Sequence, residues 1–243
     1  MKALLRWLGL VLAAALALQL FFLARIALSA SVNPQSTSLQ RSEAWRLATG
    51  KGRLRWRQQW VDYADISDNL KRAVIASEDG SFTNHDGVDW EALEKAWERN
   101  ARAEEQAARR AQLAQRGARP ARIVGGSTIT QQLAKNLLLS GERTLLRKGQ
   151  EMVLAFALEK MLSKERILEV YLNSVEWGEG VFGAEAAAQH YFRKPASRLT
   201  AYEAARLAVM LPRPRYFEKR PNSGYLANRA WTIVARMRDA ELP

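Results

Sequence analysis

The chain begins with an apolar run that is long enough to cross a membrane. Residues 7–24 contain no charged side chain and a single clearly polar one, Gln19. As a helix, a run of this length rises about 27 Å, close to the hydrocarbon thickness of a bilayer. Residues 26–28 can extend the span if the Arg25 side chain reaches back to the interface. The pattern therefore predicts one transmembrane anchor at residues 7–28.

A cleaved signal peptide is the alternative for this segment, because small residues near its end fit a cleavage site. The apolar region of a signal peptide has only about 7–15 residues, so the length favours an uncleaved anchor. Lys2 and Arg6 before the span favour a cytoplasmic N-terminus at residues 1–6. A basic stretch at residues 41–57 argues weakly for the opposite orientation, but it lies well past the span.

Beyond the anchor, the spacing of apolar residues is typical of a mainly α-helical globular domain. Residues 29–50 begin with a Ser-, Asn- and Pro-containing segment and are predicted as a linker. Alternation near residues 54–58 predicts a short strand. Apolar residues at 129, 133 and 137 predict the buried stripe of a helix that ends near residue 139. Further helices are predicted at residues 68–76, 89–116, 144–161 and 230–237.

Composition and charge narrow the kinds of site that the domain can hold. The chain has no cysteine, which excludes disulfides and thiolate metal sites, and its two histidines, His85 and His190, argue against a multi-histidine metal centre. The net charge of +12 points to nucleic acid, an anionic membrane surface or a phosphate-bearing substrate. Six basic residues and one acid lie in residues 41–57, shortly after the apolar span, which favours the membrane or lipid-phosphate interpretation.

An acidic segment at residues 78–87 is the first candidate for chemistry. It has the sequence Glu-Asp-Gly-Ser-Phe-Thr-Asn-His-Asp-Gly, with three acids and one histidine bounded by glycine. A carboxylate at a helix end beside an aromatic ring can be desolvated and become a base of raised pKa. Taken alone, the segment is more typical of a polar loop with turn-forming acids.

A glycine- and hydroxyl-rich segment precedes the helix that begins near residue 127. Its sequence at residues 125–136 is Gly-Gly-Ser-Thr-Ile-Thr-Gln-Gln-Leu-Ala-Lys-Asn. Free backbone N–H groups at such a helix start can face an anion. Ser127, Gln131 and Lys135 are spaced to share one polar stripe that could line a groove for a phosphorylated sugar. An ordinary capped amphipathic helix is the alternative.

Two later segments are also amphipathic. Arg147 and Glu151 lie four residues apart on one helical face, which usually means a surface ion pair worth tenths of a kcal/mol. A phosphate-binding arginine beside a second carboxylate is the functional alternative. Residues 164–173 are predicted mainly as scaffold, with Glu169 and Asn173 as candidates for bracing a cleft.

In this order, the four segments resemble the peptidoglycan polymerases of glycosyltransferase family 51. The family patterns Glu-Asp…Phe…His…Gly, Gly-Gly-Ser-Thr-Ile-Thr-Gln-Gln, Arg-Lys-x-x-Glu and Lys-x-x-Ile-Leu-Glu-x-Tyr-Leu-Asn all occur. The sequence ends at Pro243 and contains no Ser-x-x-Lys or Lys-Thr-Gly, so the resemblance is to the monofunctional biosynthetic transglycosylases. Residues 101–122 depart from the family in length. The matching segments are residues 78–87, 125–132, 147–151 and 164–173.

The resemblance implies a mainly α, lysozyme-like catalytic domain at residues 51–243, with a small membrane-associated lobe and one transmembrane helix before it. The implied reaction transfers a growing glycan strand from undecaprenyl diphosphate to the 4-hydroxyl of lipid II, a lipid-linked disaccharide-peptide. The anomeric carbon inverts, and the product is a β-1,4 bond. The implied location is the bacterial inner membrane, single-pass, with a periplasmic catalytic domain. The expected partners are lipid II, the growing strand and inner-membrane lipids, with other cell-wall synthesis or division proteins as candidates and no nucleic acid.

The resemblance also implies roles for particular residues. Glu78 is cast as the general base, and Glu151 as a second catalytic carboxylate near the donor phosphates. Lys135 and Arg147 would hold the leaving diphosphate electrostatically. Magnesium or manganese is the candidate cofactor at a diphosphate, although no ligand spacing in the sequence indicates it. The other candidate substrate-binding residues are Asp79, Phe82, His85, Ser127, Thr128, Gln131, Gln132, Asn136 and Lys148.

The sequence is also compatible with two other functions. One is a lysozyme-like glycan hydrolase, in which Glu78 would be a general acid and water the acceptor. The other is a basic, non-enzymatic protein that binds a membrane or nucleic acid. Such a binder has no need of Glu78 and Glu151 in these settings, so the enzymatic interpretations are favoured.

Overall fold

The computed structural model describes residues 1–50, 55–113, 125–139, 141–142 and 144–243. The predictions for residue 54 and for residues 114–122 lie outside this part of the chain. The strands are β1 (Arg57–Gln58), β2 (Glu176–Gly178) and β3 (Val181–Phe182). The helices are α1 (Lys2–Ser29), α2 (Ser38–Thr49), α3 (Asp68–Glu78), α4 (Trp90–Leu113), α5 (Ile129–Leu138), α6 (Leu145–Met161), α7 (Lys164–Ser174), α8 (Ala184–Phe192), α9 (Ala201–Met210), α10 (Pro214–Glu218) and α11 (Gly224–Arg236).

Helix α1 is the helix that the apolar run predicts. Among the described helices it alone is long and apolar enough to cross a membrane. Its end is docked on the domain: it contacts α6, and Phe22 and Ile26 near this end are buried. Arg166 of α7 donates to the Ser29 carbonyl oxygen at 2.9 Å and to the Asn33 side chain at 2.8 Å. This candidate membrane helix therefore meets the domain at α6 and α7.

The predicted linker at residues 29–50 contains a helix, α2. Thr37 and Gln40 form a capping box, in which the Thr37 hydroxyl accepts from the Gln40 N–H at 3.1 Å and the Gln40 side chain accepts from the Thr37 N–H at 2.8 Å. Gln40 and Glu43 are buried, and α2 packs against α5. The irregular segment is thus only residues 30–37, because the capping box starts a helix that the Ser- and Asn-containing composition concealed.

The core forms where two groups of helices meet. Helix α3 packs against α9 and α11, while α5 packs against α6 and α7. The apolar stripe predicted for α5 is confirmed, since Ile129, Leu133 and Leu137 are all buried. Full burial of such a side chain contributes about 1.5–3 kcal/mol. Burial of this face fixes α5, so that its other face can line a cleft.

A small sheet closes the domain beside α8. Its strand order is β1-β3-β2, with β1 parallel and β2 antiparallel to β3. β1 lies within the predicted strand at residues 54–58. Gly183 follows β3 with φ +87°, and a Cβ there would lie 2.8 Å from the Asn173 carbonyl oxygen. Only glycine permits this close approach to α7.

Asn173, a candidate for bracing a cleft, instead braces the Val61 segment where the chain enters the domain. Its side chain is fully buried, accepts from the Val61 N–H at 3.0 Å and donates to the Val61 carbonyl at 2.9 Å. We expect Asn173→Ala to reduce the free energy of unfolding by about 2–4 kcal/mol, because both Val61 backbone groups lose their partner. The exposed Asn228 is the matched control, and Asn228→Ala should change stability by less than about 0.5 kcal/mol. Equal denaturation midpoints for the two variants would contradict this role.

Candidate active site

Glu78 is the last residue of α3 and lies at the bottom of a cleft. Its Oε2 accepts a hydrogen bond from the Gln132 side-chain N–H at 3.0 Å. The Gln132 side-chain oxygen in turn accepts from the Tyr171 hydroxyl at 2.9 Å. Burial raises the pKa of Glu78, while the hydrogen bonds from Gln132 and Ser77 act in the opposite direction. A carboxylate of raised pKa that stays partly exposed is suited to accept a proton.

The neighbouring Asp79 joins the acidic segment to α5. Its carboxylate accepts from the Ile129 N–H at 2.9 Å and contacts His85 Nε2 at 2.9 Å. His85 Nδ1 accepts from the Gly87 N–H at 3.1 Å, which assigns the proton on the ring to Nε2. Phe82 is fully buried. These contacts are structural, and the predicted substrate-binding roles of Asp79, Phe82 and His85 stay predictions.

The start of α5 uses its polar side chains to cap the helix. Thr128 and Gln131 form a capping box, and the Thr128 hydroxyl donates to the Gly87 carbonyl oxygen at 2.6 Å. Both side chains are buried. The expected polar stripe of Ser127, Gln131 and Lys135 is therefore interrupted, because Gln131 turns back to the helix start. Ser127 and Lys135 line separate cavities.

A cluster of two cations and one acid lies at the start of α6. Glu151 is buried and contacts Arg147 Nη1 at 3.0 Å and Lys148 Nζ at 2.5 Å. Lys148 also reaches the Ser127 hydroxyl at 3.0 Å. The Arg147 side chain is only 15% exposed, so this is not the ordinary surface ion pair. Within the described residues Arg147 Nε is buried and has no hydrogen-bond partner.

Lys135 stands between Glu78 and this cluster. Burial is the largest effect on its pKa and lowers it, and the nearby Arg147 and Lys148 also lower it, against the carboxylates of Glu151 and Glu78. An anion that binds beside Lys135 therefore stabilises the charged form of this lysine. We call the hollow of about 360 Å³ beside it the lysine cavity. Its lining includes Gln132, Lys135, Asn136, Glu142, Arg147 and Glu176.

A second hollow lies on the other side of Glu78. It has a volume of about 220 Å³, and we call it the glycine-loop cavity because residues 125–128 form one wall. Glu78 and Arg99 also line it. The Glu78 side chain lines this cavity. It is linked to the lysine cavity by the hydrogen bond that it accepts from Gln132, which lines that cavity. One proton acceptor is therefore placed between two hollows, and the lysine cavity contains the cations Lys135 and Arg147 as well as the acids Glu142 and Glu176.

The side chains fit a resident divalent cation poorly. Among the described residues no three acids or histidines gather in a ligand set. Both oxygens of Glu151 are already paired with Arg147 and Lys148. Magnesium or manganese would have to take most of its ligands from a bound diphosphate, so its involvement stays a prediction and no step below depends on it.

The comparisons with known proteins agree with this geometry. A family model described as transglycosylase matches residues 47–238. The chain belongs to the transglycosylase family. The matched region begins inside α2 and includes Glu78, Lys135 and Arg147. Membership makes the chain a glycosyltransferase and confirms the predicted fold class, a mainly helical, lysozyme-like domain that follows one candidate membrane helix.

Similar proteins span nearly the full chain. A biosynthetic peptidoglycan transglycosylase of Burkholderia orbicola (strain MC0-3) is 53% identical over 228 residues, which cover 94% of this chain and 86% of the relative. Proteins of the same name from Burkholderia thailandensis and Paraburkholderia phytofirmans are each 51% identical over 242 residues. Those alignments cover 98% of this chain and 88% and 94% of the relatives, respectively.

Tyr171 is a site residue that the sequence analysis treated only as scaffold. Its buried hydroxyl sets the orientation of the Gln132 amide, so that the N–H points at Glu78. In this transglycosylase we expect Tyr171→Phe to lower turnover about fivefold, the value of one hydrogen bond. The acid limb of the pH profile should move to higher pH, because Glu78 loses support for its charged form. A turnover loss with an unchanged pH profile would contradict this positioning role.

Proposed function

We propose that this transglycosylase polymerises peptidoglycan glycan strands from lipid II. The observation that carries the proposal is the position of Glu78, a carboxylate of raised pKa near a cavity that is lined by Lys135 and Arg147. A base and a separate cluster of cations are what a transfer from a lipid diphosphate requires. The names of the similar proteins agree with peptidoglycan as the product.

In the proposed reaction, Glu78 removes the proton from the 4-hydroxyl of the acceptor disaccharide. The freed oxygen attacks the anomeric carbon of the strand from the side opposite the diphosphate, and the configuration inverts. The C1–oxygen bond to the diphosphate breaks as the β-1,4 bond forms. The lipid diphosphate carries away the electron pair, and Lys135 and Arg147 stabilise its charge. Glu151 keeps Arg147 and Lys148 in place for this task.

The cation cluster also favours synthesis over cleavage. A hydrolase that cuts a neutral glycosidic bond needs an acid to protonate its leaving group. A diphosphate leaves as an anion, so it needs positive charge instead. Arg147 and the desolvated Lys135 supply that charge, whereas they would give no advantage with a neutral sugar.

The test of the proposal offers purified full-length protein two substrates in separate tubes. With lipid II, we expect glycan polymer and free undecaprenyl diphosphate. With finished, undecorated glycan strands, we expect no soluble fragments. Soluble fragments from the strands, without polymer from lipid II, would identify a hydrolase and overturn the proposal.

The proposed location is the bacterial inner membrane, with α1 as the anchor and the catalytic domain in the periplasm. The docking of the α1 end on α6 and α7 supports an uncleaved anchor, because Phe22 and Ile26 take part in the domain core. N-terminal sequencing of the membrane-extracted protein should recover Met1. A mature protein that begins near Ala30 would contradict the anchor.

A further inference from the structure

A third hollow lies between α2 and the end of α5, outside the cleft described above. We call it the leucine cavity, and its volume is about 420 Å³. Leu39, Leu138 and Leu139 give it an apolar side. Leu39, Lys135, Asn136 and Gly141 line both this cavity and the lysine cavity, so the two hollows meet at Lys135.

The polar side of the leucine cavity carries a positive charge that no acid neutralises. Arg41 lines the cavity, and among the described residues its hydrogen-bond partners are all neutral: the Ser36 carbonyl and hydroxyl and the Ser38 hydroxyl, at 3.0–3.2 Å. Arg25 donates to the same Ser36 carbonyl oxygen at 3.2 Å. Two guanidinium groups thus converge on one neutral oxygen, and within the described residues neither forms a salt bridge. The two positive charges repel each other, and a bound anion would offset this repulsion.

The cavity is also on the path to the membrane. Helix α2 is joined to the anchor α1 by residues 30–37 alone, and Arg25 lies near the end of the anchor. Because the two hollows meet at Lys135, the leucine cavity offers the hydrocarbon of a ligand that has its phosphate at Lys135 a way out of the lysine cavity. An apolar wall with a cation beside it suits the point where a phosphate meets a hydrocarbon chain.

We propose that the leucine cavity binds the phosphate–prenyl junction of the lipid diphosphate, with Arg41 on the phosphate and the leucines against the first prenyl units. The proposal deepens the proposed function, on which it rests, and assigns a binding role to Arg41 of the basic stretch at residues 41–57. It commits to a prenyl diphosphate. An anionic phospholipid headgroup offers similar charge, but it cannot place a second phosphate at Lys135.

The test measures binding of farnesyl diphosphate to the full-length protein in neutral detergent micelles, without any sugar substrate. We expect Arg41→Gln to weaken binding about tenfold, because a charged hydrogen bond is lost. Arg41→Lys should recover part of the loss. Arg55→Gln is the matched control, since Arg55 is exposed, belongs to the same basic stretch and does not line the three cavities described above, and it should bind as the wild type does.

A second variant separates the prenyl chain from the charge. Ser42 is exposed and lines the cavity, so Ser42→Trp fills it while every cation stays. We expect weaker binding of farnesyl diphosphate and unchanged binding of inorganic diphosphate. Circular dichroism of each variant checks that the fold is retained.

Three results would overturn the proposal. Equal losses for Arg41→Gln and Arg55→Gln would mean general electrostatic attraction. Unchanged binding by Arg41→Gln and Ser42→Trp would place the lipid elsewhere. Displacement of farnesyl diphosphate by phosphatidylglycerol at equal concentration would identify a phospholipid site. Because the binding experiment measures no turnover, its result does not depend on whether the protein polymerises lipid II.

Discussion

Glu78→Gln should reduce polymerisation by about 10²- to 10⁴-fold, because the acceptor hydroxyl loses its base. The glutamine can still accept the hydrogen bond from Gln132, so the local geometry is preserved. The measurement is the initial rate with lipid II at a fixed concentration of purified protein. The exposed Glu94 of α4 gives a matched control, and Glu94→Gln should retain the wild-type rate.

The same variant should not lose thermal stability. Burial raises the pKa of Glu78 in the folded state above its value in the unfolded chain. The stability that comes from the protonated form is complete below the unfolded pKa and is lost as the pH rises through the folded pKa. At neutral pH the ionised Glu78 therefore destabilises the fold, so Glu78→Gln should keep or raise the Tm.

The pH dependence of the wild-type rate follows from the same shift. The base works only when it is ionised, so turnover should fall as the pH drops through a pKa above the ordinary glutamate value of 4.5. A near-normal rate for Glu78→Gln would remove Glu78 from the role of base. A large fall in Tm together with the lost rate would make Glu78 a structural residue instead.

Lys135→Met should lower turnover by about 10²- to 10³-fold, the typical effect of removing one group that stabilises transition-state charge. The Lys135 ammonium group is desolvated and makes no hydrogen bond with the described residues, so its charge is free for the leaving diphosphate. Methionine has a similar length and no charge. The Tm should be retained or raised, because a buried cation is removed from the free protein.

Lys160→Met is the matched control for this substitution. Lys160 is an exposed lysine on α6 and should tolerate the change without a kinetic effect. Equal rates for the Lys135→Met and Lys160→Met proteins would show that the lysine cavity does not hold the diphosphate. A lower Tm for Lys135→Met, with no specific change in turnover, would favour a structural role for Lys135.

Helix positions were predictable wherever a single apolar stripe meets the core. The predicted helix at residues 144–161 corresponds to α6, and the predicted stripe of α5 is buried. Helix α2 was missed because its buried face consists of polar side chains, Gln40 and Glu43, rather than of apolar ones. The Glu43 carboxylate is buried against Arg46 and Arg215, and Arg215 lies far away in the sequence. Periodicity cannot reveal a face that is stabilised by ion pairs.

The sequence could predict which residues lie together in the cleft, but it could not predict which contacts each side chain makes there. The family motifs placed Glu78, Lys135 and Arg147 together, and the structure brings them to one cleft. Whether a hydroxyl or an amide caps a helix or faces a cavity depends on which backbone groups approach it in three dimensions. Gln131 and Gln132 are neighbours of identical type, yet one closes a capping box and the other contacts the base.

The central claim is that Glu78 drives transfer from a lipid diphosphate to a sugar hydroxyl. The most direct measurement counts the undecaprenyl diphosphate released from lipid II for each new β-1,4 bond, with the wild-type protein and with Glu78→Gln. We expect one diphosphate to be released for each bond with the wild type, and both products to decline together in the variant. Diphosphate release without new bonds, or bond formation that persists in Glu78→Gln, would contradict it.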